Sequence, residues 1–359
     1  MALPVTSSLS SDTLPLSLDD MVFPNHAHPT HDIEGCQAQK CQAHTVTTYR
    51  CGGLLSRYYQ PTSLSAWYHI LTTLSEEERL SAHVLGWGSN TLIADTGLHA
   101  PCFDLRKLTQ EQRLASTVIR FATGVHLARV AHVAAQTLFE PSTMLTNEPW
   151  GLSGLEGLVG IPGTVGGAVM MNAGAHSTEI AHTLMGVWLL EKRTLTPYYL
   201  PAHELQLSYR HNGYLAEHPA WILAADFALT PKPQTLIQRT TQHHQQWRKD
   251  HHPTEPNGGS VFRNPKTQTT LSVGAMVEAL GLKGTRHGGA MISPKHGNFI
   301  VNIAQASTLD ILHLMCLITT KVKEAYGVTL HPENKLFIET PSEEEKALKT
   351  ILWGTSNLI

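Results

Sequence analysis

Gly86-Trp87-Gly88-Ser89-Asn90 combines two glycines with two small polar residues between apolar stretches, AHVLG before it and TLIA after it. A strand–turn–strand of this kind offers successive backbone N–H groups in a concavity suited to a diphosphate. It is not a dinucleotide fingerprint, which needs G-x-G-x-x-G opening a helix, whereas TLIAD continues as a strand. A second segment, residues 151–174, holds eight glycines in twenty-four positions. Its triplet spacing mimics collagen, but the run is too short and too poor in proline for a triple helix. Glycine at such density means turns with positive φ or backbone lying close to a ligand. Either segment alone could be a structural turn. Gly86–Asn90 and Gly160–Ala168 in one domain point to an elongated anionic cofactor threaded between subdomains.

The elements that must hold these loops follow from periodicity. AHVLG (82–86) and TLIA (91–94) read as strands. Apolar residues at 127, 130, 131, 134 and 138 fall on one helical face. FEPSTMLTNEPW (139–150) breaks that pattern and reads as a surface loop. After residue 231 the texture changes to a polar helix over 235–250, an amphipathic helix over 271–284 and a strand over 298–303. A long helix over 307–327 follows, capped by Ser307 or Thr308 and ended by Gly327. The organisation expected is a flexible extension over 1–43, a cofactor domain of two lobes over 44–231, an α+β domain over 232–338 and a charged tail over 339–359.

Bulk properties set the outer limits. The 359 residues are 42% hydrophobic and 15% charged, an ordinary globular balance. A formal charge of -3 gives no field that would draw the chain to nucleic acid or an anionic membrane. No apolar run approaches the ~18 residues of a membrane span, and the N-terminus lacks the pattern of a secretory signal. Five scattered cysteines fit a reducing compartment, so a cytoplasmic protein is expected. The 22 histidines invite a metal reading, above all His26, His28 and His31 beside Cys36 and Cys41. Their loose spacing does not suit tetrahedral zinc, so no metal site is expected.

Six segments occur together in one order: LGWGSNTLIADTG (85–97), GLEGLVGIPGTVGGAVMMNAGA (154–175), YR (209–210), GGSVFRNP (258–265), GLKGTRHGG (281–289) and LHPENKLF (330–337). In this order they resemble the successive signatures of the UDP-N-acetylenolpyruvoylglucosamine reductase family, over roughly residues 44–338. The short link from Asn264-Pro265 to Gly281 is similar to the compact branch, which lacks a substrate-covering insertion. The resemblance implies an α+β fold, with a vanillyl-alcohol-oxidase-type FAD-binding domain of two lobes and a C-terminal α+β substrate-binding domain. It implies non-covalent FAD, NADPH as hydride donor, and UDP-N-acetylglucosamine enolpyruvate as the substrate reduced on the way to peptidoglycan. It assigns the cofactor to Gly86, Gly88, Ser89, Asn90, Ile161, Pro162, Gly163, Gly166, Gly167, Ala168, Asn172 and Gly174, and the substrate to Tyr209 and Asn264. Hydride addition to an enol ether leaves an enolate that needs a cation or acid at its carboxylate and a proton at its α-carbon. Arg210 and Glu333 match the first role and Ser260 the second, with Arg263, Lys283 and Arg248 as candidate helpers of the serine.

Four positions depart from the family pattern. Trp87 stands where a small residue is usual, His176 for a tyrosine, Asn212 for a serine and His252 for a glutamine before proline.

Overall fold

The computed structural model describes residues 17–24, 37–139 and 148–354. His26, His28, His31 and Cys36 lie outside the described residues, as do 140–147 of the expected surface loop.

The first half is built on two sheets. One orders its strands Gln39–Gln42, Leu54–Tyr59, Cys102–Asp104 and His83–Leu85, with a single antiparallel pair at its edge and parallel pairing beyond it. The other is antiparallel throughout, in the order Pro197–Pro201, Leu184–Glu191, Ala220–Ala228, Val118–Ala122 and Glu111–Ala115. Ala220–Ala228 is central and buried along nearly its whole length, which explains its apolar run, broken only by Asp226, a buried carboxylate that accepts from Arg120 at 2.6 and 2.7 Å. Trp67, Phe103, Phe121 and Phe227 are fully buried in the core that joins the two sheets.

The expected helices form. Leu127–Gln136 buries Leu127, Val130, Ala131 and Ala134. Thr308–Tyr326 starts at a capping box between Ser307 and Asp310 and stops at Gly327, whose φ is +70°. Gln234–His251 buries Ile237 and runs past the strand Trp150–Ser153. The C-terminal half packs Val273–Ala279 and Thr308–Tyr326 around the sheet Arg286–His287, Ala290–Ile292 and Ile300–Asn302.

Both ends of the chain carry more structure than their composition suggests. Within the 1–43 extension, Leu18–Val22 is a capped helix, and Leu18, Val22 and Phe23 are buried in the first core. Asp19 accepts from the backbone N–H groups of Leu64 and Ser65, at the start of helix Leu64–Thr73, at 3.1 and 2.7 Å. Arg120 donates to the Val22 carbonyl. Near the other end, Glu343–Trp353 is a helix whose Leu348 and Leu352 join the second core.

The halves are sewn together where the chemistry is expected. Lys335–Phe337 pairs in parallel with Thr91–Ile93, directly after the first glycine turn. The second core also takes in Tyr49, Cys51 and Leu92 from the first half.

Candidate active site

A cleft of about 1290 Å³ runs between the two halves. Of the residues assigned from sequence, it is lined by Gly86, Gly88, Ser89, Asn90, Ile161, Pro162, Gly163, Gly167, Ala168, Gly174, Tyr209, Arg210, Ser260, Asn264 and Glu333. Gly166 and Asn172 stand behind it. A Cβ on Gly166 would lie 2.1 Å from Thr123 Oγ1, so this glycine answers to packing against the strand behind it. Asn172 is buried and braces the wall: its Nδ2 donates to Glu179 at 3.0 Å and to the Ser208 carbonyl at 3.1 Å, while its Oδ1 accepts from Ala181 N–H.

The glycine wall is two turns in mutual contact. Ser89 Oγ donates to the Pro162 carbonyl, and a Cβ on Gly86 would sit 2.5 Å from Thr164 Oγ1. Among the described residues, none of the backbone N–H groups of Gly86 through Asn90 has a hydrogen-bond acceptor. Amides left unpaired at a cleft are donors awaiting an acceptor from outside the chain. At Gly163 and Gly167 an added Cβ would approach nothing closer than 3.6 and 3.9 Å, so their missing side chains leave space open in the cleft.

Opposite stands a charged wall. Gly258-Gly259-Ser260 is a turn in which Gly259 N–H donates to Asn257 Oδ1 at 2.9 Å and Gly259 has φ +76°. Gly258 is required there, since a Cβ would fall 2.1 Å from the Tyr49 ring. The chain then runs alongside 331–333, with Glu333 N–H donating to the Val261 carbonyl at 2.8 Å and Arg263 N–H to the His331 carbonyl at 3.0 Å. Those bonds, around an isolated bridge between Phe262 and Pro332, set Ser260 and Glu333 on neighbouring extended segments. The Ser260 hydroxyl has no partner among the described residues and lines the cleft.

Arg210 sits at the tip of the hairpin formed by Leu207–Ser208 and His211–Asn212, with φ +56°, a strained value for a residue bearing a side chain. Its Nε donates to Glu333 Oε1 at 3.1 Å, Nη1 to the Asn172 carbonyl at 3.1 Å and Nη2 to the Gly174 carbonyl at 2.6 Å. Three of its five N–H donors are thereby committed, which fixes the guanidinium and leaves two for a ligand. Burial pushes the Glu333 carboxyl above the usual carboxylate range, and the attraction of Arg210 and Arg263 only partly opposes it. Asn90 ties this wall to the glycine turn. Its Nδ2 donates to the Glu333 carbonyl at 3.1 Å, and its Oδ1 accepts from Asn334 at 2.8 Å.

Asn264 and Tyr209 lie further along the cleft. Asn264 Oδ1 accepts from Val273 N–H at 3.0 Å and so anchors the helix Val273–Ala279. The Tyr209 ring has Lys266 Nζ 4.2 Å from its centroid. Of the candidate helpers, Lys283 is paired with Glu278 at 2.9 Å and is not a cleft residue. Arg248 lines the cleft, and Arg248 Nε and Arg263 Nε are buried without partners. Lys335 was not among the candidates, yet it lines the cleft and burial lowers its pKa. Its signal was its place two residues beyond Glu333, the spacing that returns a side chain to the same face of extended chain.

The departures from the family pattern have structural roles. Asn212 caps the helix Gly213–Glu217 by accepting from Leu215 N–H at 3.0 Å. His176 stacks on His244 at 4.1 Å. His252 packs against Phe299, and Trp87 meets the edge of His126 with the Arg106 guanidinium 5.6 Å from its ring.

Residues 251–337 match the family model described as the C-terminal domain of UDP-N-acetylenolpyruvoylglucosamine reductase. The UDP-N-acetylenolpyruvoylglucosamine reductase of Synechococcus sp. (strain WH7803) is 40% identical over 313 residues, 86% of this chain and 95% of that protein. The enzyme of the same name from Prochlorococcus marinus (strain MIT 9313) is 38% identical over 80% of this chain and 89% of its own. The crystal structure of UDP-N-acetylenolpyruvylglucosamine reductase from Thermus caldophilus shares 28% identity, with a TM-score of 0.67 over 84% of this chain and 99% of that one. The protein is a reductase, built on a mixed α+β frame. The chain belongs to the UDP-N-acetylenolpyruvoylglucosamine reductase family.

Proposed function

We propose that the protein uses FAD and NADPH to reduce the enolpyruvyl ether of UDP-N-acetylglucosamine to UDP-N-acetylmuramic acid, for peptidoglycan synthesis. The observation that carries the reading is the meeting of Arg210, Glu333 and Ser260, from three distant parts of the chain, across one cleft from the two glycine turns. The residues suit the cofactor. The unpaired amides of 86–90 fit a diphosphate, and the open faces of Gly163 and Gly167 fit a flat ring system lying against backbone.

FAD held by the amides of 86–90 and the open faces of Gly163 and Gly167 would supply hydride chemistry at the substrate's β-carbon, with NADPH as the source of the electrons. The residues of the chain do the rest. The two uncommitted N–H groups of Arg210 hold the substrate carboxylate, where negative charge gathers as the enolate forms. Glu333, its pKa raised by burial, is suited to carry a proton that hydrogen-bonds the same carboxylate. Ser260 gives its proton to the α-carbon. A serine is a weak acid, so the positive charges of Lys335, Arg248 and Arg263 around the cleft are what lower the cost of its transient alkoxide. Five cationic side chains (Lys192, Arg210, Arg248, Lys249 and Lys335) against the one carboxylate of Glu333 also suit a cofactor and substrate that each bear a diphosphate. No helix among the described residues is long and apolar enough to cross a membrane, and the reading places the enzyme in the cytoplasm with its nucleotide substrates.

A stopped-flow absorbance experiment tests it. The yellow holoprotein should bleach with NADPH and recolour when the enolpyruvyl sugar is added. Bleaching without recolouring by that sugar would sink the assignment.

A further inference from the structure

Residues 47–50 and Asn334 stand behind the cleft without lining it, and between them they tie the glycine turn to the serine turn. Thr48 bridges the two directly. Its N–H donates to the Gly88 carbonyl at 3.2 Å and its hydroxyl to the Asn257 carbonyl at 2.6 Å. Tyr49 is fully buried, and its hydroxyl donates to Asn334 Oδ1 at 3.1 Å. Asn334, only 1% exposed, gives one N–H of its amide to Asn90 Oδ1 at 2.8 Å and the other to the Gly258 carbonyl at 3.0 Å. Asn302 Nδ2 fastens this segment to the C-terminal half by donating to the Tyr49 carbonyl at 2.9 Å.

Packing alone does not call for this chemistry. Apolar groups of the same shape replace a buried hydrogen-bonded pair at little cost, but they could not hold the Gly258 carbonyl or the Asn90 side chain. Burial raises the Tyr49 pKa, so its hydroxyl stays protonated and acts as a fixed donor. That donor also locks the Asn334 amide. Reversed, the amide would set its oxygen against the oxygens of Asn90 and Gly258, and its nitrogen against the Tyr49 hydroxyl. Tyr49 therefore grips Gly258 twice, with its ring where a Cβ would fall 2.1 Å away and with its hydroxyl through Asn334. Gly259 adds no side-chain packing of its own, so the hydrogen bonds at Asn257 and Gly258 hold the turn that carries Ser260.

We infer that Tyr49 and Asn334 are positioning residues for proton delivery, fixing the Ser260 turn against the glycine turn so that the hydroxyl meets the substrate's α-carbon. The inference rests on the proposed reaction, with Ser260 as the donor. Neither residue touches the reacting atoms, and both act through the placement of Ser260. Asn90 is the link to the other wall, since its amide is engaged at one end by Asn334 and at the other by the Glu333 carbonyl.

Single-turnover kinetics of the full-length holoenzyme, in ordinary and deuterated water, test the inference. Tyr49→Phe removes one buried oxygen and keeps the ring against Gly258. It should retain flavin and be reduced by NADPH at the wild-type rate. Reoxidation by the enolpyruvyl sugar should slow about tenfold, within the roughly 10²-fold that a ~1 Å misplacement costs. The solvent deuterium effect on that step should exceed the wild-type value, because proton delivery has slowed relative to hydride transfer. Asn334→Leu, which strips donors from both turns, should lose more in the same half-reaction. Added to Ser260→Ala, Tyr49→Phe should slow reoxidation no further, since it acts only through the serine. A Tyr49→Phe enzyme that merely melts earlier, with both half-reactions and the isotope effect unchanged, overturns the inference. So does one that slows the Ser260→Ala enzyme by the same factor. Loss of flavin, or equal slowing of the NADPH half-reaction, also overturns it by giving the network to the glycine turn alone. Ser260→Ala within a few fold of wild type defeats the proposed donor. A full loss in Ser260→Ala beside normal kinetics in Tyr49→Phe defeats only the positioning.

Discussion

Along 160–168 the cleft is shaped by side chains that are missing, whereas along 258–264 and 331–335 it is shaped by side chains fixed on a backbone ladder. The first wall presents amides and open faces at Gly86–Asn90, Gly163 and Gly167, and its shape is held by contacts behind it, such as Gly166 against Thr123. The second presents Ser260 and Glu333 on adjacent bridged segments, with Arg210 committed through three hydrogen bonds. The difference separates two tasks. A bound planar cofactor needs room and unpaired donors, which backbone alone provides. Charge that appears only during the reaction needs groups already held in place.

If the walls divide the work this way, variants should separate cleanly. Ser260→Ala should have the largest effect, slowing flavin reoxidation by the sugar by roughly 10²–10⁴-fold while flavin content and reduction by NADPH stay near normal. Single-turnover traces of the two half-reactions would show it, and an alanine variant within a few fold of wild type would remove Ser260 as the proton donor. Arg210→Met and Glu333→Gln come next, each losing roughly 10²–10³-fold in the same half-reaction. An equal loss in the NADPH half-reaction would mean that these residues position the flavin, and the comparison of walls would break.

Neighbouring glycines sharpen the contrast further. Gly166→Ala forces a methyl to within 2.1 Å of Thr123 Oγ1 and should lower unfolding stability by about 1–3 kcal/mol. Gly167→Ala meets nothing closer than 3.9 Å and lies in the helix Val165–Met170, so it should melt at or above the wild-type temperature. Its methyl points into the cleft, so its cost should appear as weaker flavin retention on dialysis.

The smallest effect concerns pH. The folded-state pKa of Glu333 is raised above the ordinary 4.5, so the stability it contributes is complete below that value and is lost as pH rises through its own higher one. Glu333→Gln keeps the uncharged form at all pH. The melting-temperature difference between variant and wild type should therefore be near zero below pH 4.5 and move in favour of the variant at higher pH.

Much of the glycine wall was legible because an absent side chain is itself the signal, and the helix Thr308–Tyr326 was legible because both its caps are written locally at Ser307 and Gly327. What stayed hidden depends on partners remote in sequence. Leu18–Val22 is only five residues long, and its docking rests on Asp19 reaching Leu64 and Ser65 and on Arg120 reaching Val22. Composition carries no trace of such contacts. Gly166 and Asn172 sat inside a motif that speaks for a cofactor, but which member of a glycine run faces the ligand is settled by the strand behind it. The rings of His176, His244 and Trp247 come from two elements some seventy residues apart, and their alignment exists only once both are packed.

The parallel pairing of Lys335–Phe337 with Thr91–Ile93 bears on how the enzyme comes into being. Asn90 and Glu333, hydrogen-bonded at 3.1 Å, are separated by 243 residues. Loop closure over such a span is slow and unrewarded until both ends are present. During synthesis the two sheets of the first half can condense first, with the strand Thr91–Ile93 still lacking its neighbour. The side of the cleft that carries Glu333 is completed only after the strand Lys335–Phe337 has left the ribosome, so the cleft closes late, well after its glycine turns have been made.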